Sequence, residues 1–332
     1  MEPKRQVIAI AQGTYGSDSG DTIPEGYEAE LRHVDAGDLN QLASLIDCAA
    51  LIVGLQPLQL PQLRSLPPSI KVIGRAGIGL DSIDLEAAGN LGIGVVHQPS
   101  YATDEVADHA TAMIMALMRQ IIPGNQLART DWPGWEHYSG VPSIGECTLG
   151  LVGYGRIGAA VADRMRPLVG RIIAIDPLAT HSPDGVELVD DLESLLRVSD
   201  IVSLHAPMSE ATAKLMNAET IAMMRPGSYL VNVSRGGLVD EDALASALTS
   251  GHLGGAGLDV LSSEPPSANN PMLTAPRTVL SPHAAWLSSS SQNRLQNWTL
   301  VDVLDIVRGR MPRNGRLAVR GARCGQLTDW KE

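Results

Sequence analysis

The sequence predicts an α/β protein of two domains, each built around a parallel sheet of the Rossmann or flavodoxin type. The chain has 332 residues, of which 44% are hydrophobic, so it can form more core than one small domain needs. Short apolar segments alternate with helical patterns along almost the whole chain. This alternation predicts parallel sheets, because parallel neighbours are joined by crossover connections that are usually helical.

Composition narrows the classes of function. The formal net charge is −12 and the pI is about 5.1, which disfavours binding to nucleic acid or to anionic membranes, since both need clusters of Lys and Arg. The first residues lack the apolar run of a signal peptide, and no later segment approaches the ~18 apolar residues of a membrane span. The sequence therefore predicts a cytoplasmic protein that acts on small molecules. Cys48, Cys147 and Cys324 lack disulfide or zinc-ligand spacing, which predicts reduced thiols and no bound metal.

Four apolar segments predict strands in the first domain, at residues 6–11, 50–55, 71–74 and 94–97. A helix follows, with Thr103 as its predicted N-cap and apolar residues nearly all round from position 107 to 119, which is typical of a buried helix. Glu105 and His109 are four residues apart on this helix, and we interpret them as a surface pair because no third metal ligand accompanies them. Residues 120–146 are rich in Gly, Pro and Trp and predict an arm.

A second series of strands runs from Thr148 to about His283. Its six predicted strands lie at residues 149–153, 171–176, 200–205, 228–233, 255–260 and 278–282. From Ser288 onward the sequence predicts a helix, which we expect to pack back onto the first domain.

A glycine motif, VGYGRIG, begins at the end of the first strand of this series. Gly153, Gly155 and Gly158 form G-x-G-x-x-G, in which successive glycines permit a tight turn, close approach of a pyrophosphate and close packing of helix on strand. The next strand ends in Asp176, where a carboxylate can bind the adenosine ribose and repel a 2′-phosphate. The motif predicts an NAD site. The alternative is a glycine-rich turn needed only for packing, whereas a P-loop is excluded because no lysine stands in its motif.

Three polar residues follow three successive strands of the same series: Arg235, Glu264 and His283. Ligands of open α/β sheets bind at the carboxyl ends of the strands. A protonated imidazole can neutralise the charge that hydride transfer leaves on a carbonyl oxygen, a nearby carboxylate stabilises the imidazolium, and a guanidinium binds a carboxylate bidentately. The set suits reduction of a 2-oxo acid. Singly, each residue has a structural alternative, as a strand-end cap, a loop anion or a buried histidine with satisfied hydrogen bonds.

At these residues the chain resembles the D-isomer-specific 2-hydroxyacid dehydrogenases. The segments VGYGRIG, HAPMSEATAKLMN, MRPGSYLVNVSRGGLVDEDAL, GAGLDVLSSEPP and SPHAAW are similar to successive signatures of that family, in order. The resemblance implies that Arg235 binds and polarises the 2-oxo acid, that His283 is the general acid and base, and that Glu264 pairs with His283. It implies that Asp259 holds the nicotinamide carboxamide. The other implied NAD contacts are Gly153, Gly155, Arg156, Ile157, Gly158, Asp176, His205, Pro207, Thr212, Val233, Ser234 and Ala285.

Two branches of the family compete. KVIGRAGIGLDSIDLEAA is similar to phosphoglycerate dehydrogenase, which implies substrate contacts from Arg75, Ala76 and Gly77. Against this branch, HAAWLSSSS replaces the glycine and small polar residues usual after the histidine, Ser82 stands where asparagine is usual, and the chain ends without a regulatory domain.

DEVADHA and HAAWLS resemble instead the C-terminal-binding proteins, which are nucleotide-sensing corepressors. Formate dehydrogenase is less similar, because its histidine pairs with glutamine and Glu264 stands here. Trp286 is a candidate wall of the substrate pocket, with a core or interface tryptophan as the alternative.

We therefore predict an NAD-dependent D-2-hydroxyacid dehydrogenase whose active site lies in the cleft between two domains. Residues 1–100 with 288–332 would form the substrate domain, and residues 101–287 the NAD-binding Rossmann domain, with the arm at 120–146. The resemblance implies a homodimer embraced by this arm. The alternatives are an NAD(H)-sensing, corepressor-like binding protein with vestigial activity and a phosphoglycerate dehydrogenase that lacks a regulatory domain.

Overall fold

A computed structural model describes residues 5–15, 22–130, 132, 134, 141–179 and 185–329. The chain divides into two compact units. The first unit is Met1–Tyr101 with Ser288–Glu332, and the second is Ala102–Leu287. Each unit contains one sheet with helices between its strands, so the predicted α/β class with two largely parallel sheets is confirmed.

The sheet of the first unit has six strands within the described ranges. They are β1 (Gln6–Ala11), β2 (Ala29–Val34), β3 (Cys48–Val53), β4 (Val72–Arg75), β5 (Gly94–His97) and β13 (Arg316–Val319). Their order is β13-β5-β4-β3-β1-β2, in which the first five strands follow the flavodoxin order 2-1-3-4-5. Only β13, at one edge, pairs antiparallel with its neighbour β5.

Both edge strands of this sheet escaped prediction from the sequence. β2 reads AELRHV, with polar residues between two buried ends, and β13 reads RLAV with no buried residue. Edge strands face solvent along much of their length, so they lack the continuous apolar run that identifies a central strand of a parallel sheet.

The described residues of the first unit form four α-helices: α1 (Leu39–Ala43), α2 (Leu60–Ser65), α3 (Leu85–Asn90) and α10 (Ser289–Val307). The helix predicted after Ser288 is α10, with Ser288 as its N-cap, and it packs on β4. Gly74 in β4 permits this packing, because a Cβ there would lie 2.6 Å from the Val303 side chain. Leu, Ile, Val and Ala side chains fill the core, since the chain contains no Phe.

Among the described residues, the sheet of the second unit has seven parallel strands, where six were predicted. They are β6 (Thr148–Val152), β7 (Arg171–Ile175), β8 (Glu187–Leu188), β9 (Ile201–Leu204), β10 (Tyr229–Asn232), β11 (Gly255–Leu258) and β12 (Thr278–Leu280). Their order is β12-β11-β10-β9-β6-β7-β8. The additional strand, β8, has only two residues, too few to give a hydrophobic pattern.

In the second unit, the part of the chain that the structure describes forms six α-helices: α4 (Thr103–Met118), α5 (Ile121–Thr130), α6 (Arg156–Met165), α7 (Leu192–Val198), α8 (Ala218–Met223) and α9 (Glu241–Ser250). The predicted N-cap of α4 was wrong by one position. Ala102 is the N-cap and Thr103 is already helical, so the threonine hydroxyl makes no cap hydrogen bond. Asp104 and Glu105 place two negative charges in the first turn, where the helix dipole favours them.

The segment interpreted as an arm, residues 120–146, is in part regular structure. The ten residues after Gln120 form helix α5. Pro123 lies in its first turn, where a missing backbone N–H is tolerated. Positions 131, 133 and 135–140 of the segment lie outside the described residues. Over the described part of the chain, no helix is both long and apolar enough to cross a membrane.

Candidate active site

All strands of the second unit are parallel, so their carboxyl ends meet at one edge of the sheet. The glycine loop, residues 153–158, joins β6 to α6 at this edge. Gly153 has φ +95°, and a Cβ there would lie 2.7 Å from the backbone at His205 and Ala206. A Cβ on Gly158 would collide with the carbonyl oxygen of Gly153. These two glycines therefore let backbone segments pack closely.

Gly155 differs from the other two glycines of the loop. A Cβ added there would meet no protein atom within 4 Å, so protein packing does not explain its glycine. Gly155 is the N-cap of α6 and makes no side-chain cap hydrogen bond, so backbone N–H groups of the first helical turn are available to an anion. Open space beside uncapped N–H groups fits the pyrophosphate of a dinucleotide.

Asp176 follows β7 and connects that strand to the glycine loop. Its Oδ2 accepts a hydrogen bond from Tyr154 N at 2.8 Å, and its Oδ1 accepts one from Leu178 N at 2.8 Å. Each carboxylate oxygen keeps a lone pair for a further donor. Asp176 is half-buried, and Pro177, Leu178 and Ala179 follow it, so the next described positions carry no cation. The position suits a ribose diol better than a 2′-phosphate.

His205 and Thr212 organise the loop after β9. Nε2 of His205 hydrogen bonds with Ser203 Oγ at 2.9 Å, and burial lowers the pKa of the His205 ring to about 4, so it is neutral at neutral pH. Its Nδ1 is buried without a partner among the described residues, and buried polar atoms normally acquire one from water or a ligand. The Thr212 hydroxyl donates to Pro207 O at 2.7 Å and so closes the loop.

Arg235 leaves the carboxyl end of β10 in a turn that Asn232 stabilises. The fully buried Asn232 side chain donates to Arg235 O at 2.8 Å and accepts from Ser234 N at 3.0 Å. Arg235 Nη1 donates to Ser234 O at 2.7 Å. Gly236 lets this turn lie against the loop after β11, because a Cβ there would collide with the backbone of Leu261.

Glu264 and His283 form a hydrogen-bonded pair across two loops. Nδ1 of His283 lies 2.6 Å from Oε2 of Glu264, and Oε1 of Glu264 accepts from Leu261 N at 3.0 Å. The two side chains are 25% and 32% exposed, so the pair is neither fully buried nor free in solvent. With Nδ1 bound to the carboxylate, Nε2 is the nitrogen of His283 that can exchange a proton with a substrate.

The electrostatics of the pair favour an ionised Glu264. Partial burial acts to raise the pKa of Glu264, but the hydrogen bond and charge of His283, the Leu261 N–H and the positive charge of Arg235 outweigh burial and lower it. A carboxylate beside the ring stabilises the protonated imidazole. Arg235, Glu264 and His283, which the sequence predicted as a set, therefore meet at one edge of the sheet.

Residues 281–285, which we call the acid–base strap, carry His283 after β12. Asp259, only 1% exposed, accepts hydrogen bonds from Ala284 N at 2.8 Å and Ala285 N at 2.9 Å, while its backbone carbonyl accepts from His283 N at 2.7 Å. His283 has φ +53°, a conformation that costs energy for a residue with a Cβ and is enriched at functional sites. The contacts of Asp259 hold this strained backbone.

The resemblance implied that Asp259 holds the nicotinamide carboxamide. Its Oδ1 accepts from Ser281 Oγ at 2.5 Å and from Ala284 N, and Oδ2 accepts from Ala285 N. One lone pair on Oδ2 is left for such a donor. The carboxamide contact stays a prediction, and support of the strap is the role seen in the structure.

The remaining predicted contacts are placed as follows. Arg156 and Ile157 begin α6, Val233 is buried directly after β10, and Trp286 is half-buried just beyond the strap. In the first unit, Arg75 ends β4, and Ala76 and Gly77 follow it.

Gly77 makes room for the guanidinium of Arg75, because a Cβ on Gly77 would collide with it. Gly77 O also accepts from Gln98 N at 3.0 Å, which holds this loop beside the end of β5. Arg75 itself is 5% exposed. Its role in substrate binding stays a prediction.

Sequence reasoning missed the residues that support the site. Asn232 is the last residue of the apolar strand β10, and an amide at the end of a buried strand is the signal that could have identified it. His109 was interpreted as the surface partner of Glu105, but its Nε2 hydrogen bonds with Ser281 Oγ at 2.9 Å. No sequence pattern connects positions 109 and 281. Within the ranges that the structure describes, no cluster of three or more metal-ligating side chains occurs.

Comparison with known families accords with this geometry. The family profile described as D-isomer specific 2-hydroxyacid dehydrogenase, NAD binding domain, matches residues 111–285. That range includes the glycine loop, Asp176, Arg235, Glu264 and His283.

Curated relatives carry several activities. D-3-phosphoglycerate dehydrogenase of Mycobacterium bovis is 36% identical over 273 residues, 81% of this chain and 51% of the relative, so the chain spans about half the length of that relative. Glycerate dehydrogenase of Methylorubrum extorquens is 36% identical over 265 residues, 78% of this chain and 82% of the relative. Glyoxylate reductase of Korarchaeum cryptofilum is 36% identical over 301 residues, 88% of this chain and 90% of the relative.

Solved structures match over nearly the whole chain. A Thermus thermophilus protein superposes with a TM-score of 0.79 at 31% identity, covering 93% of this chain and 99% of that one. An NADPH-dependent glyoxylate/hydroxypyruvate reductase from Sinorhizobium meliloti, in complex with citrate, gives a TM-score of 0.81 at 26% identity, covering 98% and 100%. By its NAD-binding profile and by relatives matched over most of their length, this chain belongs to the D-isomer specific 2-hydroxyacid dehydrogenase family.

Proposed function

We propose that the protein is an NAD-dependent D-2-hydroxyacid dehydrogenase that interconverts a 2-oxo acid and the corresponding D-2-hydroxy acid. The observation that carries the proposal is the 2.6 Å hydrogen bond between His283 Nδ1 and Glu264 Oε2, beside the turn of Arg235. Such a pair can hold a proton on the imidazole and deliver it from Nε2. A cation next to it can bind an anionic substrate.

In the proposed mechanism, each residue has one task. Arg235 binds the carboxylate of the 2-oxo acid through its guanidinium and draws electron density from the neighbouring carbonyl. The nicotinamide, when bound, supplies or accepts the hydride. His283 donates the Nε2 proton to the carbonyl oxygen during reduction and removes it during oxidation, while the Glu264 carboxylate stabilises the protonated ring.

For the cofactor, we propose NAD(H) rather than NADP(H). The glycine loop and the start of α6 would hold the pyrophosphate, and Asp176 would bind the ribose hydroxyls. The negative charge of Asp176 and the uncharged residues after it support this preference. The relative from Sinorhizobium meliloti is NADPH-dependent, so family membership alone does not decide the cofactor.

We propose the substrate as a class, the 2-oxo acids, and not as one compound. The phosphoglycerate, glycerate and glyoxylate relatives are all 36% identical to the chain, so identity does not rank their substrates. No specific observation favours a corepressor-like binding protein. The Glu264–His283 pair supports the enzyme, because binding of a nucleotide alone does not need a histidine hydrogen-bonded to a carboxylate.

The test measures NADH oxidation by the wild type and by His283→Ala against pyruvate, glyoxylate, hydroxypyruvate, phosphohydroxypyruvate, and aromatic and branched 2-oxo acids. We expect turnover of at least one substrate, and a loss of about 10²–10⁴-fold in the variant, the range typical of general acid catalysis. Melting temperature and NADH affinity should change little. A folded His283→Ala protein with full activity would overturn the mechanism.

We also propose a cytoplasmic homodimer. Three large apolar side chains are exposed on helix α5 and shortly after it: Ile121 (56%), Ile122 (41%) and Trp132 (81%). Such a pattern supports contact with a second copy of the chain. Sedimentation equilibrium of the wild type and Ile121→Glu, with Leu178→Glu as an exposed apolar control, tests the dimer. Cell fractionation tests the location.

A further inference from the structure

His109, on helix α4, hydrogen bonds with the first residue of the acid–base strap, Ser281. Its Nε2 lies 2.9 Å from Ser281 Oγ, and that oxygen lies 2.5 Å from Asp259 Oδ1. The same Nε2 is 3.7 Å from Asp259 Oδ1. Three elements, α4, the loop after β11 and the strap, therefore converge on one buried carboxylate.

The direction of these hydrogen bonds follows from the chemistry of the groups. An ionised carboxylate can only accept, so the single hydroxyl hydrogen of Ser281 goes to Asp259. The Ser281 oxygen then accepts from its other neighbour, which requires a hydrogen on Nε2 of His109. The arrangement selects a ring that carries a hydrogen on Nε2.

The chain of donors ends on the carboxylate of Asp259, which also holds the backbone of the strap. Asp259 Oδ1, which receives the Ser281 hydroxyl, also accepts from Ala284 N at 2.8 Å. Ala284 directly follows His283, whose φ of +53° is retained only if the surroundings hold it. A donor that fixes Ser281 and Asp259 therefore fixes the direction of the His283 ring.

We infer that His109 is a positioning residue that holds the acid–base strap in its reactive geometry by donating its Nε2 hydrogen to Ser281. Its effect on turnover rests on the proposed function. Its effect on the His283–Glu264 hydrogen bond does not.

Three variants and one control test the inference. His109→Leu removes the donor, His109→Gln supplies an amide N–H of similar reach, and Ser281→Ala removes the intermediate hydroxyl. The matched control is His252→Leu, which removes one ring hydrogen bond, from Nε2 to Ile221 O at 3.0 Å, elsewhere in the same unit. Melting temperature and NADH affinity are measured for every variant.

Two readouts separate positioning from a merely structural role. We expect His109→Leu and Ser281→Ala to lower kcat about tenfold, the size of one buried hydrogen bond, with little change in KM for the 2-oxo acid. His109→Gln should recover most of the loss, and His252→Leu should keep wild-type kcat. In proton NMR, the low-field Nδ1–H signal of His283 should shift or broaden in His109→Leu and stay in place in His252→Leu.

Nitrogen chemical shifts of labelled histidine provide the direct check. Nε2 of His109 should carry a hydrogen in the wild type. A hydrogen-free Nε2, or identical kcat and identical low-field signals in His109→Leu and His252→Leu, would overturn the inference while leaving the dehydrogenase standing. If the wild type reduces no 2-oxo acid, the proposed function fails, and the two NMR signals alone decide the inference.

Discussion

The glycine loop and the acid–base strap stand at the same edge of one sheet, but different interactions shape them. In the loop, Gly153 and Gly158 are required because neighbouring backbone occupies the space of a side chain. In the strap, two residues of the loop after β11 hold His283: Glu264 bonds to its ring, and Asp259 bonds to its backbone N–H. Local steric constraints determine the conformation of the loop, whereas hydrogen bonds between residues far apart in sequence determine that of the strap.

This difference explains which region tolerates which change. The steric requirements of the loop fall on glycines that lie close together in the sequence, so the loop is recognisable from seven contiguous residues, VGYGRIG. The strap depends on a carboxylate 19 residues from His283 and on His109, which lies 172 residues from Ser281. Substitutions in the loop should therefore act on space, and those around the strap on charge and hydrogen bonding.

Among substitutions that leave His283 in place, Arg235→Ala should give the largest effect. In the proposed function the guanidinium would make two charge-assisted hydrogen bonds to the substrate carboxylate, so kcat/KM for the 2-oxo acid should fall about 100-fold. NADH affinity should be near normal, because the loop side is untouched. Steady-state kinetics and NADH titration check this, and unchanged turnover at low substrate concentration would exclude the role of Arg235.

Glu264→Gln should lower turnover about tenfold at neutral pH and change the pH profile. The pKa of Glu264 is lowered in the folded protein, so the wild-type carboxylate is ionised at neutral pH and stabilises the protonated His283. As the pH falls through the lowered pKa of Glu264, the wild-type carboxylate takes up a proton and its charge beside His283 is lost, so the wild type should lose activity on the acid side. Glutamine carries no charge at any pH, so Glu264→Gln should lack this acid limb. A pH profile of kcat/KM that coincides with wild type would contradict the pairing.

Gly155→Ala tests the loop side, with Gly158→Ala as its steric counterpart. The Cβ at 155 meets no protein atom within 4 Å, so folding should be unaffected while NADH affinity falls about fivefold. The Cβ at 158 collides with Gly153 O, so Gly158→Ala should have a lower melting temperature than the wild type. Thermal melts and NADH titrations separate the two, and equal loss of stability would remove the distinction between ligand space and packing space.

Asp176→Asn should give the smallest change. Asparagine keeps an oxygen that can accept from Tyr154 N, so the loop should hold its shape while one negative charge is lost. The preference for NADH over NADPH should narrow about threefold, as expected for one partly exposed charge. The ratio of the two kcat/KM values is the measurement. A wild type that used both cofactors equally would end the assignment of Asp176.

Much of this organisation follows from sequence. The alternation of apolar strands and helices predicted both sheets, and the central strands β1, β3, β4 and β5 were located to within a few residues. Arg235, Glu264 and His283 were predicted together because each follows one of three successive strands, and parallel strands bring their carboxyl ends to one edge.

Other features were decided by tertiary structure alone. The edge strands β2, β8 and β13 carry no buried run of their own, so only their pairing with a neighbour makes them strands. Helix α4 begins at Thr103, one residue earlier than predicted, because its start depends on the path of the preceding chain. Local propensity does not determine such contacts.

The sequence by itself determined the fold class, the glycine loop and the residues able to carry acid–base chemistry, because periodicity and short motifs are properties of contiguous residues. Only the tertiary structure decided that Asn232 supports Arg235 and that His109 reaches Ser281. A hydrogen bond needs two groups within about 3 Å in the correct direction, and for residues far apart in sequence the packed fold alone sets that distance.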